Sequence, residues 1–413
     1  MFRNRHRNRN SSGVATTSTR RRSVRMHPPH VSVAATVCAV VVAGSFVTGA
    51  VQAPTAGADR TPRSSSQVSF RVDASTNPSQ TENALRSVSC PSPTFCMSVG
   101  YYVKAAVDKT LAERWTGVRW ATSPSVSPSL TSNFLAGVSC TSASFCMAVG
   151  ARGEGASQSA LIESWTGRAW TTSAIANVGT TDGLNAVSCA STRFCIAVGD
   201  KVVAGVNRTL IARWDGRRWS LSTSRNLGGF NNDLLGAACV SSSFCIAVGE
   251  WVSNGLNRTL VERWNGARWS VSASRDPGAM DLLNSVACAS RSYCEAVGNQ
   301  VRGASTKTLA ERWNGRAWAT VPSASPNAHS TLWGVACPRT KLCEAVGGIN
   351  IGASSRTLVE HWTGKRWTTS GSANPSTRDG FNGVSCASRT ACKPVGYEVI
   401  GGDVYDSLIE RGA

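Results

Sequence analysis

One motif recurs seven times at an almost constant interval, and that recurrence constrains the fold more than any other feature of the chain. Its most regular copy runs from Leu184 to Ser220: LNAVSCASTRFCIAVG, a polar stretch, then TLIARWDGRRWS. The first half carries a cysteine pair, at Cys90/Cys96, Cys140/Cys146, Cys189/Cys195, Cys239/Cys245, Cys288/Cys294, Cys337/Cys343 and Cys386/Cys392. Successive first cysteines lie 50, 49, 50, 49, 49 and 49 residues apart. The second half carries a tryptophan pair, from Trp115/Trp120 to Trp362/Trp367, in six units. A fixed period of this length is the signature of an array in which each unit buries its apolar face against the next.

Each unit offers four strands. The first is Leu-x-x-Val-Ser-Cys or close to it, and the second is Phe-Cys-x-Ala-Val-Gly. The third is Thr-Leu-x-Glu-Arg-Trp, and the fourth begins at the second Trp. A loop of five residues, such as Pro91 to Phe95, separates the first two strands. A turn such as Asn265-Gly266 separates the last two, and Asn-Gly is a strong hairpin signal. Four antiparallel strands repeated seven times predict an all-β fold, a seven-bladed β-propeller. The seventh unit ends at Arg411-Gly412, without its Trp or a fourth strand. Ser69-Phe70-Arg71-Val72 precedes Asn77-Pro78-Ser79 as Trp367 precedes Asn374-Pro375-Ser376. The N-terminal strand is therefore expected to complete the last blade and leave no open sheet edge.

The predicted propeller spans 67–413, after a linker at 59–66 and a leader at 1–58. Eight arginines precede residue 26, and Val31 to Ala50 is apolar. This reads as a basic secretory signal cleaved after Ala58. The alternative is an uncleaved anchor crossing a membrane through 31–50. Either way the expected location is outside the cytoplasm, secreted or at the cell surface. The formal charge of +19 falls to 35 − 24 = +11 without that arginine segment, and the remainder is dispersed. Nucleic acid, which selects a concentrated basic face, is not an expected partner.

The turn between the third and fourth strands, with an aromatic and a later Trp flanking it, resembles the kelch-type repeat. That is the repeat of the galactose oxidase central domain and of secreted bacterial propellers like it. The resemblance implies propeller architecture. It departs from the family in having Val-Gly, as at Val198-Gly199, in place of a double glycine, and in carrying cysteine pairs.

Each cysteine pair brackets one hairpin loop, so seven disulfides, each local to its blade, are expected in an exported chain. Zinc is disfavoured, because structural zinc usually takes four ligands and each unit offers two. No metal or other cofactor is expected. The repeated tryptophans and the glutamates at Glu113, Glu163, Glu262, Glu311, Glu360 and Glu410 read as architecture, because a residue demanded by nearly every unit serves the unit. The Arg inside each Trp turn (Arg119, Arg168, Arg217, Arg268, Arg316 and Arg366) is expected to stack on indole.

Function is sought where the repeat breaks. Two residues before the Val of the first strand stand Arg86, Ala136, Asn185, Leu235, Asn284, Trp333 and Asn382, each followed by Ser, Gly or Ala. Small residues fit a crowded axis, so the variable position is expected at one mouth of the channel. The residue after Val-Gly also varies, and Tyr101, Asp200, Glu250 and Tyr397 are expected to open the loops there, with Trp251 in such a loop. These residues predict a ligand-binding mouth for a glycan, a cell-wall component or a protein, in a monomeric, non-catalytic binding or scaffold module. The alternative is a glycoside hydrolase or lyase on the same fold, with Asp200 and Glu250 as its acid pair. No catalytic residue is assigned.

Overall fold

A computed structural model describes residues 70–154, 157–388 and 390–412. The leader, the linker and Ser69 lie outside the described residues. The described chain forms seven four-stranded antiparallel sheets. In blade 1 the strands are Asn83–Ser92, Phe95–Lys104, Val107–Trp115 and Trp120–Thr122. Blades 2 to 7 begin at Asn133, Asp182, Asn232, Met280, Ser330 and Asp379. The first strand of each blade lies against the first strand of the next, and that of blade 7 returns to that of blade 1, so the ring is closed.

Closure uses the N-terminal strand Phe70–Asp73. It pairs antiparallel with Val404–Gly412, Phe70 facing Gly412 and Val72 facing Glu410. Phe70 is buried in the position of the second Trp. Asn77 repeats the role of Asn374: each side-chain oxygen accepts a third-strand N–H at 2.8 Å, from Ser407 and Thr357. Asp73 adds a buried ion pair with Lys393, 2.5 Å across the blade, and Arg411 joins it at 3.2 Å.

The core sits between blades. Leu85, Val99, Leu135, Val149 and their repeats are fully buried where one sheet faces the next. Burying a side chain of this size contributes roughly 2 kcal/mol, and the repeat supplies it at each junction. In every first strand the ladder shifts register twice, once near the start and once at the cysteine. Leu85 faces Gly100 and Ser87 faces Val99, so Arg86 is the extra residue of a β-bulge. The same shift occurs between Leu184 and Ala186 and in all other blades. The bulge explains Val-Gly. A Cβ on Gly100 would lie 1.9 Å from the Ala84 carbonyl oxygen, and one on Gly199 2.1 Å from that of Gly183. The small residue after the bulge answers to the axis: a Cβ on Gly137 would meet the Ala186 Cα of the next blade at 2.9 Å.

All seven disulfides form within blades: Cys90–Cys96, Cys140–Cys146, Cys189–Cys195, Cys239–Cys245, Cys288–Cys294, Cys337–Cys343 and Cys386–Cys392. Their Cα atoms are 3.9–4.2 Å apart. The pairing is as expected, but the setting is not. The strands run further into the hairpin: Ser92 and Phe95 leave only two residues between them, not a five-residue loop. The cysteines are therefore strand residues and do not flank a loop; Cys189 and Cys195, for instance, are ladder partners. The second member of each pair turns inward. Cys146, Cys195, Cys245, Cys294 and Cys343 are wholly buried and belong to the core between blades, where their sulfurs pack as small apolar groups.

The tryptophans are architectural. Each pair faces across the third and fourth strands with ring centroids 5.6–5.8 Å apart. Trp115 Nε1 donates to the Pro93 carbonyl in the disulfide hairpin, and Trp165 to that of Ala143. The turn arginines do not carry the cation–π contacts found among the described residues. Cations within strands do, and on the tryptophans they reach the next blade: Arg263 lies over Trp313, and Arg312 over Trp362 at 3.8 Å. A turn arginine sits at the exposed tip of its own blade, whereas these strand side chains point into the junction.

Candidate functional site

The start of the first strand, the end of the second and the loops between blades share one end of the ring. The repeated glutamates brace this end from below. Glu113 accepts from Ser75 Oγ at 2.7 Å and from Thr76 N, and Glu262, Glu311, Glu360 and Glu410 hold the matching Ser of their own incoming loops. Glu163 accepts from Val126 N. All six are fully buried. Burial raises their pKa values, to about 8 for Glu163 and about 7 for Glu262 and Glu311. The reading of these acids as structural holds, although they bind loops rather than pair strands. A second brace shows in the sequence only as a small polar residue three before each bulge. Asn83, Asn133, Asp182, Asn232, Asp281, Ser330 and Asp379 are fully buried and accept from the loop just before their own strand, as Asn83 Oδ1 does from Ser79 N at 2.8 Å.

Upon this frame the bulge residues ring the axis, each half-buried or deeper. They divide by use. Asn185 Nδ2 donates to the Leu234 carbonyl at 3.0 Å, Asn284 Nδ2 to Leu332 at 2.8 Å, and Asn382 Nδ2 to Leu85 at 2.8 Å. These three asparagines clip neighbouring blades together, so part of their hydrogen-bonding capacity serves the ring. Arg86 is different. Its guanidinium lies over the Tyr101 ring, 5.4 Å from the centroid, and makes no ion pair among the described residues. Trp333 occupies the bulge of blade 6.

The residues after Val-Gly lie within the second strands, which continue past the glycine, from Gly100 on to Lys104 in blade 1, and not in loops as expected. Tyr101 is buried and donates to Glu82 Oε1 at 2.5 Å. Tyr397 packs against Tyr405 with centroids 5.8 Å apart, and burial raises its pKa against the lowering field of Arg86. The mouth thus joins Arg86, Tyr101, Tyr397 and Asn382 at blades 7 and 1. Trp251 pairs with Asn232 and Arg258 in its ladders, and its ring rests against Gly228 of the incoming loop.

Blades 3 and 4 gather acids. Asp200 is raised to about 7 by burial and by the charge of Asp233, and Glu250 to about 7 by the same two causes. Asn185 Nδ2 donates to Asp200 Oδ1 at 3.3 Å, and Asn257 donates to Glu250. Asp200 and Glu250 show no direct action on each other; each feels the charge of Asp233, a first-strand acid that sequence reasoning missed. In a seven-membered ring, blade 4 stands opposite the junction of blades 7 and 1. The mouth has an aromatic side holding Arg86, where Glu82 and Glu398 also stand, and a side holding the acids of blades 3 and 4.

Neither a protein-family model nor a curated protein matches the chain. Solved structures do. A structure of YCF48 bound to D1 peptide is similar at TM-score 0.51 and 14% identity, covering 83% of this chain and 95% of that one. YCF48 from Cyanidioschyzon merolae is similar at TM-score 0.50 and 11% identity, covering 83% and 98%. The WD40 propeller domain of Doa1 gives 0.49 and 13%, covering 83% and 96%. At such identities the likeness is one of fold, and the shared feature is the propeller itself. The kelch-type repeat is not singled out.

Proposed function

We propose that this chain is an exported, non-catalytic binding propeller whose mouth takes a segment of a protein partner. One observation carries the reading. The bulge residue differs from blade to blade at the axis, where the frame around it repeats. Variation there offers specificity at no cost to the frame, and grooves lined by a few placed polar groups and aromatics are what ligand sites use. The Arg86 guanidinium, over Tyr101 and without an ion pair among the described residues, is suited to a carboxylate of the partner. The acids of blades 3 and 4 suit a cation. The YCF48 neighbour bound to a D1 peptide favours a peptide ligand on this fold. Seven disulfides fit an oxidising compartment, which supports export and the signal reading of the leader.

The test is a screen of the full-length chain against peptide and glycan arrays and chromogenic glycosides, followed by the Arg86→Ala/Trp333→Ala variant. The expected result is peptide binding that falls about tenfold or more in the variant, a loss of roughly 1.4 kcal/mol, with the ring still folded at the temperature of the assay. Glycoside turnover abolished by Asp200→Asn or Glu250→Gln would replace this reading with the hydrolase one.

A further inference from the structure

At the same end of the ring as the mouth, but outward on the third- and fourth-strand side of blade 5, a cavity of about 390 Å³ opens between the loop entering the blade and the loop leaving it. That volume lies within the range of small-ligand sites, about 300–1,000 Å³. Pro277, Val321 and Pro322 form apolar walls, and Leu309 and Ala310 line the interior. Beside the hydroxyls of Thr308, Thr320, Ser323 and Ser325, the long polar side chains are supplied by Gln300, Arg302 and Lys307.

These three side chains are arranged as a set. Gln300 and Lys307 face each other across the second and third strands, and Arg302 stands two residues on from Gln300, on the same face. Gln300 Nε2 donates to the Thr308 carbonyl at 3.0 Å, which fixes the amide. Its oxygen then accepts from Arg302 Nε at 2.8 Å. The bond uses the inner edge of the guanidinium and leaves the terminal nitrogens to a ligand. Lys307 Nζ donates to the Asn327 carbonyl at 3.1 Å, which holds a second cation at the same cavity. Neither cation meets a carboxylate within ion-pair distance among the described residues. Asp281 feels the charge of Arg302 but is buried, and its oxygens accept from Gly278 N.

The set occurs once. The positions of Gln300, Arg302 and Lys307 hold Lys201, Val203 and Arg208 in blade 3, and Ile349, Ile351 and Arg356 in blade 6. The corresponding cavity of blade 3 is smaller, about 270 Å³, with Lys201 as its one cation. Architecture does not require the blade 5 arrangement, because the other blades fold without it.

We infer that the blade 5 cavity binds a carboxylated sugar unit of an acidic polysaccharide. A forked guanidinium with free terminal nitrogens matches a carboxylate in two parallel hydrogen bonds. Lys307 adds a second positive donor. Proline and valine walls suit the C–H faces of a pyranose ring. In an exported propeller such a site would hold the ring to a surface glycan while the mouth remains open.

Calorimetry on the full-length chain tests this with three probes: a glucuronic-acid-containing disaccharide, a neutral glucose disaccharide and inorganic phosphate. The acidic disaccharide is expected to bind and the neutral one not to. Arg302→Ala/Lys307→Ala is expected to weaken binding by about tenfold or more, and Gln300→Ala, which frees the guanidinium from its brace, by about threefold. Arg302 is exposed, whereas Gln300 and Lys307 are half-buried and each donates one hydrogen bond to a backbone carbonyl, so the variants should melt slightly below the parent and be fully folded at the temperature of the titration. Arg86→Ala should bind the acidic disaccharide as the parent does. The proposal is overturned if acidic and neutral disaccharides bind alike, if neither binds, or if the stable double variant binds undiminished. It is also overturned if phosphate competes as well as the sugar acid, which would mark a bare anion site. Loss of binding in Arg86→Ala would move the sugar to the mouth and overturn the blade 5 assignment.

Discussion

The six buried glutamates make the ring sensitive to pH in an unusual direction. Burial raises their pKa values above the ordinary 4.5, to about 8 for Glu163. The folded chain therefore keeps protons that the unfolded chain releases as pH rises past the ordinary carboxyl range. Their contribution to stability is full below the ordinary range, falls as pH climbs from that range to the folded values, and levels above them. The melting temperature is expected to be higher at about pH 5 than at about pH 8. Glu163→Gln keeps an acceptor for Val126 N and removes the titration, so it should flatten the profile. A profile that rises with pH, or one that Glu163→Gln leaves unchanged, would show that these acids are ionised in the fold. The asparagine clips make a second residue-scale case. Asn185→Ala, Asn284→Ala and Asn382→Ala should each destabilise by about 1 kcal/mol in urea, the usual worth of one such hydrogen bond. Ala136 already occupies this position in blade 2, so the backbone accepts alanine there. Unchanged midpoints would mean that the amides are free for ligand.

At the scale of elements, the strand Phe70–Asp73 is joined to the rest of the ring by its ladder, by the buried Phe70 and by one buried ion pair. Asp73 and Lys393 side chains are each 8% exposed, and Lys393 also lies 3.8 Å from the centroid of the Trp115 ring in blade 1. Removing one partner strands the other charge in a place without water. Asp73→Ala should therefore cost about 3 kcal/mol, in the range for broken buried pairs, whereas exposed Arg71→Ala should cost little. Equal effects would mean that the ion pair adds nothing to what the ladder and Phe70 supply. This element was legible in the sequence because both ends of the chain lack what the other has, and the spacing from Phe70 to Asn77 copies that from Trp367 to Asn374. The bulge was not. One extra residue inside a ten-residue strand leaves only two marks, a small neighbour and an obligatory glycine opposite. A crowded axis and a tight turn leave the same marks. The second strands were read as ending at Val-Gly for the same reason, which turned Tyr101, Asp200, Glu250 and Tyr397 into loop residues. The cysteine pairing was legible from its spacing, but the burial of Cys195 and its repeats was not, because it depends on the sheet of the adjoining blade. The stacking arginines were misplaced because the contact crosses to the next blade, and spacing within one unit carries no information about it. Asp233 went unnoticed for that reason too: its charge acts on Asp200 of the preceding blade.

At the scale of the whole molecule, seven local covalent loops and one closed ring are independent constraints. Each disulfide closes a short loop and contributes roughly 2 kcal/mol in the chain-entropy picture. Non-reducing peptide mapping should return Cys90–Cys96 through Cys386–Cys392 as seven separate loops, and reduction should lower the melting temperature of the entire ring. A bridge between blades would contradict the fold. Because the frame is repeated and the mouth is not, the central claim is that partners meet the chain at the bulges. Ala136 and Val118 provide the most direct comparison. Ala136 is a bulge residue at the axis, and Val118 is 85% exposed in the turn at the opposite end of blade 1. A photo-crosslinking side chain is placed at each in turn, and the full-length chain is irradiated with the peptide selected by the array. Crosslinking from position 136 and none from position 118 is the result predicted; crosslinking from 118 alone, or from neither while the peptide remains bound, would contradict it.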